Sequence, residues 1–179
     1  MKLYLPSAIA VVFGLCLACS VPRTRVVGEV VPGQSINPAG KFLILSCDDA
    51  QERGEEVTKG SSNALVSAVR DRMMQHSMKI SITQATALEA GYREAKENSF
   101  DYLVRPSFTN WEDNATAWSG NGDKAGISLE VFDARTHTML AASSYNRTAT
   151  GFTLAPGSPM RFIDDAADKT LSQIFHWKA

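Results

Sequence analysis

One continuous apolar run constrains the fold more than any other feature: it reads FLILSC over residues 42–47 and lies between Gly40 and two aspartates. A half-buried strand alternates apolar and polar side chains, whereas a strand covered on both faces is apolar throughout. We therefore expect this segment to lie in the middle of a sheet with other elements packed on both of its faces.

The segments after this run alternate between helical and strand patterns. Gly60 and two serines introduce a helix, and a strand is predicted over 78–83. A second helix, with few apolar residues on its buried face, is predicted to end near Asn98. A third strand is predicted over 101–111, and Pro106 within it requires an edge or a bulge because proline cannot donate a ladder hydrogen bond. The apolar stripe of the first helix consists of Leu65, Ala68, Val69, Met73 and His76.

The last third of the chain predicts a hairpin followed by a helix. A half-buried strand over 126–133 leads through a turn at 133–138 into a fifth strand from 139 to about 150. Ser158 and Pro159 then cap and open a terminal helix. Its apolar stripe consists of Ile163, Ala166, Ala167, Thr170, Leu171, Ile174 and Phe175. The order β-α-β-α-β-β-β-α predicts an α/β fold with one mixed sheet and packed helices.

The first 18 residues have the three parts of an export signal: Lys2, an apolar stretch over 3–17, and small Ala18. They resemble a bacterial lipoprotein signal peptide, in which a small residue precedes the cysteine that is acylated. That resemblance implies lipidation of Cys19, although Leu17 and Cys16 depart from the usual pattern. The alternative is ordinary secretory cleavage at the same bond, which would leave Cys19 without a lipid.

The fate of Cys19 decides the chemistry of Cys47, the other cysteine left after cleavage. If Cys19 carries a lipid, Cys47 is a lone thiol that we expect to act as a small core hydrophobe. If Cys19 is free, a disulfide between the two becomes possible. Ser20, rather than Asp, follows Cys19, which resembles the Gram-negative lipoproteins that are passed to the outer membrane.

Breaker residues divide the chain into three parts. Residues 1–18 are the signal peptide, 19–40 form a lipidated N-terminus and tether rich in proline and glycine, and 41–179 form one globular domain. One short strand is predicted over 25–31. Fully extended, residues 20–40 could reach on the order of 70 Å from the bilayer.

Cleavage of the signal peptide leaves 17 basic and 19 acidic residues. This balance of charge argues against a nucleic-acid partner.

Two stretches and the closing helix resemble a known group of domains. FDYLV over 100–104 and ISLEVFD over 127–133 are similar to the N-terminal domain of the Tol translocation protein, the curli secretion lipoprotein and lipoprotein activators of penicillin-binding proteins. CDD over 47–49, GSS over 60–62 and DYLV over 101–104 are more narrowly similar to uncharacterised bacterial lipoproteins described only as a domain of unknown function. The resemblance implies a fold and an envelope location, and it carries no catalytic residues.

Enzyme and metal patterns are incomplete in this chain. Asp133, His137 and Ser143 or Ser144 are the residue types of a hydrolytic triad, but no Gly-x-Ser-x-Gly elbow presents a serine. The three histidines lie on separate elements, and the acidic loop 48–59 lacks the ligand spacing of a calcium loop. We expect no catalytic residues, no metal and no cofactor.

The candidate partner surface is the loop over 111–122. Trp111 and Trp118 lie there among small and polar residues, and exposed tryptophan is a common anchor in partner recognition. The alternative is that both indoles fold back over a sheet edge.

Together these patterns predict a non-enzymatic outer-membrane lipoprotein whose domain faces the periplasm. We expect a membrane contact through the N-terminal lipid and an envelope protein or glycan as partner, with no oligomeric state indicated. The alternatives are a periplasmic enzyme of hydrolytic type, and an oligomeric subunit of an envelope secretion or polysaccharide assembly. An oligomeric subunit would form homo-oligomers.

Overall fold

The computed structural model describes residues 23–114, 122–149 and 157–177, which form one mixed sheet of six strands with three helices. The strands are β1 (Arg23–Val30), β2 (Lys41–Ile44), β3 (Lys79–Ile82), β4 (Tyr102–Glu112), β5 (Lys124–Asp133) and β6 (Met139–Thr148). The helices are α1 (Ser61–Gln75), α2 (Leu88–Asn98) and α3 (Ile163–Phe175), the last preceded by a 3-10 turn (Pro159–Phe162). Across the sheet the order is β1-β6-β5-β4-β2-β3. The predicted α/β class is confirmed.

The apolar run lies inside the sheet, as predicted. β2 pairs in parallel with β3 on one side and β4 on the other, and residues 42–45 are fully buried. Side chains alternate between the two faces of a strand. Phe42 and Ile44 therefore pack against α1 and α3, while Leu43 and Leu45 pack against α2.

The strand predicted over 25–31 within the tether of 19–40 is present, and it extends over residues 23–30. These residues form β1, which pairs antiparallel with β6 along its whole length and places Val26 and Val30 against the larger core. Gly28 allows α3 to approach closely, since a Cβ there would lie 2.9 Å from the Cβ of Gln173. The short strand predicted over 25–31 is therefore part of the folded domain, and the domain begins before residue 41.

Pro106 occupies a position without a ladder partner on one side. β2 pairs with residues 102–104 of β4, and beyond Val104 no strand of the described ranges pairs with β4 on that side. The missing N–H of proline thus removes no hydrogen bond from the sheet. The prediction that Pro106 needs an edge or a bulge is confirmed.

The two sheet faces are covered unequally. α1 and α3 lie on one face, whereas α2 covers the other only around β2 and β4. No described helix lies over the rest of that second face, which we call the open face. Its outward side chains on β1, β6 and β5 are Arg23, Arg25, Val27, Glu29, Ala142, Ser144, Asn146, Thr148, Lys124, Ser128 and Glu130. No helix in the described ranges is long and apolar enough to cross a membrane.

A polar cluster fastens α3 to β6. The hydroxyl of fully buried Tyr145 donates to Asp165 at 2.7 Å, and Arg147 and Lys169 lie 3.0 and 2.9 Å from the same carboxylate. Burial and the bond to Asp165 raise the pKa of Tyr145 to about 12. Burial opposes ionisation of Asp165, but hydrogen bonds from Lys169 and Tyr145 outweigh it and hold its pKa below the ordinary value.

We predict that Asp165→Asn lowers the free energy of unfolding by about 1–2 kcal/mol at pH 7. Because the folded-state pKa of Asp165 is depressed, its contribution is complete above the unfolded pKa of about 4 and is lost as the pH falls through the folded value. The difference between wild type and variant in urea unfolding should therefore shrink from pH 7 toward the most acidic pH at which the protein stays folded. Exposed Asp164→Asn on the same helical turn is the control, and an Asp165→Asn effect independent of pH would contradict this interpretation.

Candidate functional site

The sheet topology creates a crevice at one end of β2. The chain leaves β2 through α1 to β3 on one side, then returns through α2 to β4 on the other side. The chain leaves the carboxyl end of β2 toward β3 on one side and the carboxyl end of β4 toward β5 on the other, so the connections diverge outside the carboxyl ends of β2 and β4. In open α/β sheets such a switch point is where ligands bind.

A cleft of about 840 Å³ occupies this switch point. One wall is the loop 47–54 after β2, and the other is the end of β4 over 107–112. Its volume lies within the range of about 300–1,000 Å³ that is typical of small-molecule sites. We call it the switch-point cleft.

Asp49 fixes the first wall to the start of α1. Its carboxylate accepts from the backbone N–H groups of Ser62 at 2.8 Å and Gly60 at 3.1 Å, and from the Ser61 hydroxyl at 3.3 Å. The Ser61 oxygen in turn accepts from the N–H of Ala50 at 2.7 Å. The backbone bond from Ser62 is the main reason that the pKa of Asp49 lies below its usual value. Asp49 therefore caps the helix.

Cys47 lies at the floor of the cleft as a poor nucleophile. Burial raises the pKa of its thiol, Ser62 lowers it, and Asp48 and Asp49 raise it further. The side chain is half-buried and packs against the larger core. A raised thiol pKa leaves little thiolate near neutral pH.

Trp111 forms part of the second wall, and its placement corrects the expectation of an exposed anchor. Its side chain is only 3% exposed and packs edge-on against Phe108, with ring centroids 5.1 Å apart. A β-bulge at Thr109 shifts the β4–β5 register, so that Phe108 and Trp111 both face the larger core. Gly126 lies opposite the bulge, where a Cβ would lie 2.8 Å from the backbone N of Asn110. Trp118 lies outside the described residues.

The cleft and its surroundings are acidic. Its lining includes Asp48, Glu52 and Glu112 against Arg53, and Glu52 joins the two walls by accepting from the N–H of Asp113 at 3.0 Å. Burial, followed by the charges of Asp123 and Glu52, raises the pKa of Asp113. The field of these carboxylates disfavours anions and favours neutral or cationic ligands. Among the described residues, no three His, Cys, Asp or Glu side chains are placed to hold a metal ion together.

The residues considered for a hydrolytic triad are not brought together. The His137 ring stacks on Tyr92 of α2, with centroids 3.8 Å apart, whereas Ser143 is buried in the core on the opposite face. Ser143 pairs with Leu129, which lies four residues before Asp133. This spacing separates Ser143 from Asp133 by about 13 Å along the strand. Ser144 lies on the same face as Tyr92 but is level with Ser128, about 17 Å away from Asp133 by the same measure.

The same fold is found in a bacterial lipoprotein and in a subunit of a bacterial dodecamer. The lipoprotein GNA1162 of Neisseria meningitidis superposes with a TM-score of 0.50 at 8% identity, covering 77% of this chain and 99% of that one. A subunit of the PelC dodecamer of Paraburkholderia phytofirmans superposes with a TM-score of 0.65 at 15% identity, covering 85% of this chain and 97% of that one. At these identities the similarity shows the fold. No family model and no curated protein matches the sequence.

We predict that Asp49→Ala destabilises the protein by about 1 kcal/mol, because Asp49 is the side chain that caps α1. The adjacent Asp48→Ala changes the same charge in the same loop and is the matched control. Urea unfolding measures both free energies, and hydrogen exchange of the first-turn amides of α1 localises the effect. Equal losses in the two variants would show that the acidic loop acts through its net charge rather than through the cap.

Proposed function

We propose that this protein is an outer-membrane lipoprotein that works by binding an envelope component through the switch-point cleft. The observation that carries the proposal is the cleft itself, which lies at the position where α/β sheets bind ligands and has walls held in place by Asp49 and Glu52. The envelope location is supported by the signal over 1–18, by Cys19 and Ser20, and by the lipoprotein fold.

Binding fits the side chains of the cleft better than catalysis does. The carboxylate of Asp49 is engaged as a helix cap, and burial suppresses the thiolate of Cys47. His137 is the residue that a hydrolytic mechanism would need, and it lies against α2 outside the cleft lining. An acidic, partly aromatic cleft selects a neutral or cationic segment of an envelope protein or glycan as its ligand.

Assembly of identical subunits is the second candidate. The PelC chain, which superposes over 97% of its length, is described as a dodecamer. This chain also presents an edge strand, β1, whose Val27 is 49% exposed on the open face. Edge strands and exposed apolar side chains are the surfaces on which further chains assemble.

Site-specific photo-crosslinking in intact cells distinguishes the two candidates. We predict that a photoreactive amino acid at Gln51, on the cleft rim, gives one discrete adduct with a different molecule. The same amino acid at Glu97, exposed on α2, should give none. A series of cross-linked homo-oligomers from the photoreactive amino acid at Val27 would favour assembly of identical subunits. Equal labelling from Gln51 and Glu97 would contradict a role for the cleft.

Replacement of Cys19 tests the proposed lipid anchor. We predict that the mature wild-type chain has the added mass of a diacylglycerol and an amide-linked acyl group and sediments with membranes, because three chains hold a protein far more firmly than one. Cys19→Ala should lose both properties. A variant that stays in the membrane pellet, or an unmodified Cys19 in wild type, would overturn lipid anchoring.

A further inference from the structure

The start of β1 carries a basic patch beside the predicted anchor. Arg23 and Arg25 line a small pocket of about 220 Å³ together with Lys124 and Asn146. Arg23 is level with Thr148 and Lys124 across the sheet, and Arg25 is level with Asn146. Because residues paired across antiparallel strands point to the same side, the three basic side chains lie together on the open face.

The two arginines are the uncompensated charges of this patch. Lys124 lies 2.7 Å from a Glu112 oxygen and is neutralised by it. Within the described ranges no carboxylate lies within ion-pair distance of Arg23 or Arg25, and both side chains are exposed. Arg147 also touches the pocket, but it is committed to Asp165 beneath α3.

The chain length before β1 limits where this patch can lie. Only residues 20–22 separate Cys19 from Arg23, so the two Cα atoms can be at most about 14 Å apart. If Cys19 carries its lipid at the bilayer surface, Arg23 is confined to the neighbourhood of the headgroup layer, which is about 5–8 Å thick in each leaflet. Unpaired arginines close to a bilayer are attracted to anionic phospholipids.

We propose that Arg23 and Arg25 bind the phosphate groups of anionic phospholipids in the membrane that holds Cys19. The location rests on the proposed lipid anchor, whereas the phosphate recognition rests on the geometry of β1 alone. The pair forms a second attachment point that presses the β1 edge of the sheet onto the bilayer. The acidic switch-point cleft lies at the same end of the sheet, on the β2 side of β4, and its carboxylates do not attract anionic headgroups.

The test uses a chain that begins at Ser20, which contains every residue of the sheet and of both cores and has no acyl group to anchor it. Sedimentation with millimolar vesicles of one part phosphatidylglycerol to two parts phosphatidylcholine measures its partition coefficient at low salt. We expect binding to these vesicles, none to pure phosphatidylcholine, and release at about 0.5 M salt. Arg23→Gln with Arg25→Gln should lower the coefficient by about 30-fold.

The double variant Arg93→Gln with Arg135→Gln is the matched control, because it removes two exposed arginines elsewhere on the surface and should bind like wild type. Equal loss in both double variants, or no wild-type binding to anionic vesicles, would overturn the proposal. Release by inorganic phosphate at matched ionic strength would overturn the lipid assignment in favour of a soluble phosphate. An unmodified Cys19 would refute the anchor without changing any of these vesicle results.

Discussion

The burial of β2 on both faces is the constraint on which the rest of the structure depends. Phe42 and Ile44 need one apolar layer, and Leu43 and Leu45 need a second layer on the opposite side. A strand in this position can be satisfied only by helices on both faces of the sheet. The chain therefore crosses from β2 to β3 through α1 on one face and from β3 to β4 through α2 on the other. The switch-point cleft lies where the chain leaves β2 toward β3 and β4 toward β5, in opposite directions across the sheet.

The elements that could be predicted from the sequence are those whose apolar period is uninterrupted. β2, α1, the β5–β6 hairpin and α3 each carry a regular pattern that tertiary packing reinforces, so their positions followed from spacing. The glycines and prolines around β1 indicate a tether, although Val26 and Val30 alternate toward the core. Breaker residues mark the ends of that strand, and only its pairing with β6 shows that it belongs to the sheet.

The burial of Trp111 is harder to predict because it depends on one extra residue in β4, Thr109 at the bulge. Strict alternation along β4 places Trp111 on the face opposite Phe108, where it would be an exposed anchor. The bulge at Thr109 reverses the alternation and buries the indole. Gly126, on the facing strand, is the one sequence signal of this bulge, but glycine in a strand also marks tight bends and close approaches of a ligand. The helix cap by Asp49 was equally hidden, since the cap comes from a residue eleven positions before Gly60.

The position of β1 changes how the domain can work if Cys19 is acylated. A free tether over 20–40 would let the cleft work on the order of 70 Å from the membrane. With β1 folded into the sheet, only three residues remain between the lipid and the domain, which must then lie against the bilayer. The ends of β4 and the start of β1 are level across the sheet, so the cleft opens near the membrane surface rather than away from it. A ligand would then have to reach the cleft along the bilayer. This favours partners that are themselves held at the membrane, or neighbouring copies that are anchored beside it.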